Sequence, residues 1–149
     1  MAYDDQQIAN DNQQLSQRLE EDRALWADRI KGIVRDTKQM NKLADVQVSM
    51  LSFRQMLIDK TVEFKNILYR RKSSWDKYFK VKYREYSINY DVKLNSSEKA
   101  SFIKADLSAL KTQINMIETH IEYYGECIRT LDNMAFAIRN RIKLNEDDF

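Results

Sequence analysis

Between Tyr69 and Tyr90 the chain interleaves aromatic and basic side chains, with Tyr69, Trp75, Tyr78, Phe79, Tyr83, Tyr86 and Tyr90 set among Arg70, Arg71, Lys72, Lys77, Lys80, Lys82 and Arg84. From Lys60 to Arg84 there are nine bases against two acids, Glu63 and Asp76. Cations neutralise phosphates and release counterions, and aromatic faces stack on unpaired bases for roughly 1 to 3 kcal/mol each. The pattern therefore nominates Arg70, Arg71, Lys72, Trp75, Lys77, Tyr78, Lys80, Lys82, Tyr83 and Arg84 as contacts to a single-stranded nucleic acid. No zinc finger or basic zipper region for reading a duplex is evident. A plainer reading stands beside it: the aromatics form core, and the lysines are a solvated face of a coiled-coil structural or adaptor protein that meets an acidic protein surface.

Other chemistry is scarce. The chain has one histidine, His120, and one cysteine, Cys127, which excludes a His/Cys zinc site within one chain and a disulfide framework. No glycine-rich loop cradles phosphates, and no carboxylate or serine is placed by sequence to work with His120, so the expectation is a non-enzymatic protein without a cofactor or metal. No apolar run approaches the roughly 20 residues of a membrane span, and the first residues are polar, unlike a signal peptide. A soluble cytoplasmic protein is expected, with no membrane partner. A basic segment resting on anionic lipid fits poorly, because its apolar residues are mostly tyrosines. The net charge of +2 hides a block pattern: residues 1–22 hold six acids and one base, and the end holds Glu146, Asp147 and Asp148 before Phe149. Such an acidic end with one apolar anchor can compete for a basic groove or dock in a partner's basic pocket.

The elements that must carry these residues are mainly helical, since 149 residues contain no proline and only Gly32 and Gly125. An apolar stripe at Leu15, Leu19, Trp26, Ile30 and Ile33 has helical spacing, and Asp36 and Thr37 can end it. A second stripe runs through Met40, Leu43, Val46, Met50, Phe53, Leu57, Phe64 and Leu68, and the two suit an N-terminal helical hairpin. Ser73 and Ser74 interrupt it, with Asp76 in a weak capping-box position. From Phe79 to Leu94 apolar residues alternate with period two, which predicts either a continued helix that frays into an extended strap or a short two-stranded β ribbon. Asn95 then caps a helix with Glu98 three residues on. This divides the chain into a DNA-binding region over 1–94 and an oligomerisation helix over 95–149.

Leu107, Leu110, Ile114, Ile117, Ile121, Tyr124, Ile128, Leu131, Ala135, Ile138 and Ile142 follow one another at spacings of three and four, a coiled-coil seam of five heptads. At about 1.5 Å per residue this stretch is roughly 52 Å long, against a radius of gyration of about 15 Å for a compact domain of this size. The seam residues Leu110, Ile114, Ile117, Ile121, Tyr124, Ile128, Leu131 and Ile138 are thus expected to join copies of the chain. A second stripe at Met116, His120, Tyr123, Cys127, Met134, Ala137 and Leu144 suits a ring-like homo-oligomer of more than four subunits, or else packing on the chain's own N-terminal helices. Gly125 lies beside the seam, where a missing side chain permits close helix approach.

Within this helix, Ser97-Glu98-Lys99, Ala105-Asp106, Leu110-Lys111, Tyr124-Gly125, Leu131-Asp132 and Ile138 with Arg141 resemble the C-terminal half of the UvsY family of phage recombination mediators, over residues 94–143. The resemblance implies a ring-forming helical protein that binds single-stranded DNA, acts in the cytoplasm of an infected bacterium, and helps a RecA-like recombinase displace the single-strand-binding protein in DNA recombination and repair. Family DNA contact is associated with a lysine and an arginine ahead of an aspartate and paired tyrosines. Lys72, Asp76, Tyr78 and Phe79 match this, while Ser74 stands in the arginine slot, the spacing differs by a residue, and the family's glycine-rich turn is missing.

Overall fold

The computed structural model describes residues 2–88 and 93–147. Four α-helices follow one another, α1 (Asp5–Thr37), α2 (Leu43–Ile88), α3 (Ser96–Asp106) and α4 (Ser108–Asp147), with a single 3-10 turn at Met40–Lys42. No strand occurs among the described residues, and the protein is mainly α-helical. No described helix is long and apolar enough to cross a membrane.

Local chemistry sets most of the boundaries. The Asp4 carboxylate accepts from the Gln7 amide at 3.2 Å at the start of α1, and the Thr37 hydroxyl donates to the Val34 carbonyl at 2.7 Å at its end. The expected capping box opens α3: the Glu98 amide donates to Asn95 Oδ1 at 2.8 Å, and the Asn95 amide donates back to Glu98 Oε1. The long C-terminal helix is in fact broken at Leu107, whose φ of −102° and ψ of 19° leave the helical well. A distant residue fixes this break. The Asp5 carboxylate accepts from the Ala109 amide at 3.0 Å, which places a negative charge against the unpaired amides at the start of α4.

Two expectations about the middle of the chain are corrected. From Phe79 to Ile88 the helix continues as the end of α2, and over these residues it neither frays into an extended strap nor gives way to a β ribbon. Its inward residues are Trp75, Tyr78, Phe79, Lys82 and Tyr86, all half-buried and at helical spacing. Val81 and Tyr83, the apolar positions that complete the alternation, are exposed, so the period of two does not mark a buried face. Tyr90 and Val92, which continue the alternation, lie outside the described residues, as do Asp148 and Phe149 of the acidic tail. Ser73 and Ser74 do not interrupt the helix either. The Ser74 hydroxyl donates to the Arg70 carbonyl at 3.1 Å, a bond that an α-helix accommodates.

The chain packs as two compact units, one of Met1–Arg18 and Lys65–Thr119, the other of Leu19–Phe64 and His120–Phe149. Each draws on residues from both sides of position 94. In the first unit Leu94, Ile103, Leu107, Leu110, Ile114 and Ile117 are buried, and the buried Asn12 amide donates to the Ala109 carbonyl at 2.8 Å. In the second, Trp26, Ile33, Leu43, Val46, Met50, Leu57, Tyr124, Cys127, Leu131 and Ile138 form one core cluster. The edge of the Trp26 ring meets Phe53 at 5.8 Å, and the Arg29 guanidinium lies 4.5 Å above the indole.

The seam residues therefore have partners inside their own chain. Leu110, Ile114 and Ile117 are buried in the first unit, Tyr124, Leu131 and Ile138 in the second, and Ile121 and Ile128 are half-buried. His120 and Cys127 of the second stripe are buried as well. Gly125 is not a point of close approach: a Cβ placed there meets nothing within 4 Å.

Candidate nucleic-acid interface

Residues 65–88 of α2 belong to the first unit, and the helix sorts the candidate contacts into two sides. Taking about 100° per residue, Lys80, Arg84, Lys77 and Arg70 fall within an arc of about 80°, with Ser73 between them. All five are exposed. Arg70, Arg71, Lys77, Lys80 and Arg84 make no ion pair with any described residue. Arg71 is exposed too but stands off the arc.

Lys72 and Lys82 differ from these. The Lys72 ammonium lies 3.0 Å from Glu118 on α4, and Lys82 lies 3.6 Å from Glu85 one turn on. Each is exposed enough for the pair to contribute little stability, but each cation already has a counter-charge.

The aromatic candidates mostly face inward. Tyr78 meets the Tyr3 ring at 4.9 Å, Trp75 meets Phe79 at 6.4 Å, and the Lys111 ammonium lies 5.8 Å from the Trp75 ring. Tyr86 stacks on Phe102 at 5.9 Å and donates to Asp106 at 2.5 Å. Tyr83 is 37% exposed and carries the Lys99 ammonium 5.0 Å from its ring. These rings hold this part of α2 against Tyr3, α3 and α4. Tyr3 contributes from the residues just before α1, where its hydroxyl donates to Asp5 at 2.6 Å, and burial followed by that bond pushes its phenol pKa up.

The sequence did not mark Tyr69 as a contact, yet it is the aromatic most open to solvent on this part of α2, at 74%. Its type and position were visible, but its orientation depends on the helix continuing through Ser73 and Ser74.

The second unit holds the protein's one histidine in a core network. His120 is fully buried, and its Nε2 lies 2.9 Å from Asp22 Oδ2. The Tyr124 hydroxyl donates to the same oxygen at 2.5 Å. With Nε2–H donating, Nδ1 is the acceptor facing Arg23 Nη1 at 3.5 Å. Burial lowers the His120 pKa despite Asp22, and burial followed by the Asp22 bond raises that of Tyr124. Tyr123 donates to the Arg23 carbonyl at 3.0 Å, and burial first, then Cys127, pushes its pKa up to about 12. Desolvation likewise raises the Cys127 thiol. The polar side chains of His120, Asp22, Tyr123 and Tyr124 are each hydrogen-bonded within this cluster, so it reads as structural. Among the described residues no group of three or more His, Cys, Asp and Glu side chains is arranged to hold a metal ion.

The chain's own residues carry the assignment of this surface, since no family model, curated protein or solved structure matches it.

Proposed function

We propose that the protein is a non-enzymatic, single-stranded DNA binding mediator whose contact surface is the exposed stripe of α2. The observation that carries this reading is the stripe itself: Arg70, Lys77, Lys80 and Arg84 on one side of one helix, exposed and without an acidic partner among the described residues. A solvated face with no ligand is ordinarily mixed in charge. The partners follow from the UvsY resemblance alone: a RecA-like recombinase that the protein loads and a single-strand-binding protein that it helps to displace. Assembly of several copies belongs to the same reading, because it would join modest basic patches into a track with large avidity. With the seam side chains buried in the chain, contact between copies falls to exposed apolar residues such as Val48 and Leu51, which line a groove with Leu131 and Ala135.

Fluorescence anisotropy with a labelled oligonucleotide tests the reading. Each phosphate contact to a single strand contributes a slope of about −0.7 in log K against log salt, so four cations give about −2.8, or roughly 50-fold weaker binding from 50 to 200 mM. Replacing Arg70, Lys77, Lys80 and Arg84 by alanine should abolish most of that slope. Binding that is absent or indifferent to salt refutes the reading. The inward turn of Trp75, Tyr78, Phe79 and Tyr86 favours one alternative, a purely electrostatic contact with an acidic protein surface. An abasic polyanion would then compete with that partner as well as an oligonucleotide does.

A further inference from the structure

We propose that Tyr69 is a base-stacking platform on the α2 stripe, so that the ligand recognised is an unpaired nucleobase together with its phosphates, an inference that rests on the stripe binding single-stranded DNA. The other described aromatics of this segment are engaged: Trp75 with Phe79, Tyr78 with Tyr3, Tyr86 with Phe102, and Tyr83 with Lys99. Tyr69 is 74% exposed and has no ring contact, hydrogen bond or ion pair with a described residue. A large ring held in water has both faces available.

Its neighbours supply the second half of the argument. Side chains three and four apart are adjacent on a helix, which sets Lys65, Asn66, Lys72 and Ser73 around the ring, with Arg70 next in sequence. Lys65 is exposed and without an ion pair among the described residues. A base lying on the Tyr69 ring would thus have a flanking phosphate within reach of Lys65 one turn back, with the exposed cations of the stripe beginning at Arg70. Every base has a π face, so such a platform is tolerant of sequence but blind to a strand without bases. A paired base in a duplex presents no free face to it.

Binding of wild type, Tyr69→Ala and Tyr69→Trp to an oligothymidylate and to an abasic strand of equal length and charge separates the possibilities. Tyr69→Ala should weaken oligothymidylate binding about 5- to 150-fold and leave the abasic strand within about twofold. Tyr69→Trp should keep or tighten oligothymidylate binding. Equal loss on both strands, or none on oligothymidylate, overturns the role of Tyr69 while leaving the basic stripe standing. If wild type binds neither strand, the DNA-binding reading fails and the platform with it.

Discussion

The short contact between Tyr124 and Asp22 makes a measurable claim about how the second unit is held. Tyr124→Phe removes one oxygen and leaves the ring, so the packing against Phe64 at 5.7 Å and His120 at 4.5 Å is kept. What is lost is a hydrogen bond to a charged acceptor, a contact worth about 1.5 to 3 kcal/mol. Two features place the loss at the lower end. The Asp22 side chain is 27% exposed and can turn to water, and it keeps its bond to His120. A loss of about 1.5 kcal/mol, at a urea slope of about 2 kcal/mol/M for a chain of this size, moves the unfolding midpoint down by roughly 0.7 M. Combining Tyr124→Phe with Asp22→Asn in a double-mutant cycle should return a coupling of about 1 kcal/mol. Tyr123→Phe is the control, because its hydroxyl donates to the neutral Arg23 carbonyl and should cost only about 0.5 to 1.5 kcal/mol. Wild-type stability in Tyr124→Phe, or no coupling to Asp22, refutes the network as described.

The same cluster sets a pH dependence. His120 has a lowered pKa in the folded chain, so the unfolded chain binds the extra proton first, and stability is fully present above the ordinary histidine value of about 6.5 and falls as the pH drops through the folded pKa; urea titrations of His120→Gln should lose this component of the slope. Gly125→Ala should raise stability by about 1 kcal/mol through helix propensity, because the added methyl meets nothing within 4 Å; a destabilised variant would show that a neighbour occupies that space. Ile117→Asp should unfold the protein in circular dichroism instead of yielding folded monomers, since Ile117 is 2% exposed in the chain itself; a folded protein of reduced mass by light scattering would return the seam to an intersubunit role.

Elements governed by local rules were legible from the sequence. Asn95 and Glu98 sit three apart and form the capping box, and Trp26, Ile33, Leu43, Val46, Met50 and Leu57 have helical spacing and meet in one cluster. The regular α4 seam was legible as a helix with one buried face, but periodicity is silent on whether that face is covered by another copy or by the same chain. The break at Leu107 carries no glycine or proline. It depends on Asp5, 104 residues away from Ala109 in sequence. Of the interface, the residue types were legible and the sidedness was not. Trp75 and Tyr78 have the residue types of a stacking surface but pack inward, and the exposure of Tyr69 follows only from an unbroken helix.

Lys82 decides between the two geometries that the alternating segment permits. In an extended strap, Lys80, Lys82 and Arg84 would share one face at about 6.6 Å intervals and contribute alike to phosphate binding. In a helix, Lys80 and Arg84 are a turn apart on the stripe, whereas Lys82 points to the opposite side, half-buried and 3.6 Å from Glu85. The two cases differ in a salt titration of single variants. On the helix, Lys80→Ala and Arg84→Ala should each reduce the magnitude of the slope by about 0.7. Lys82→Ala should leave it nearly unchanged, because the cation it removes was already balanced by Glu85. Its cost would appear in urea unfolding, through the loss of a half-buried side chain. Equal slope changes for Lys80, Lys82 and Arg84 would mean that the strand meets this segment in an extended form, and the helical stripe would then not be the binding surface.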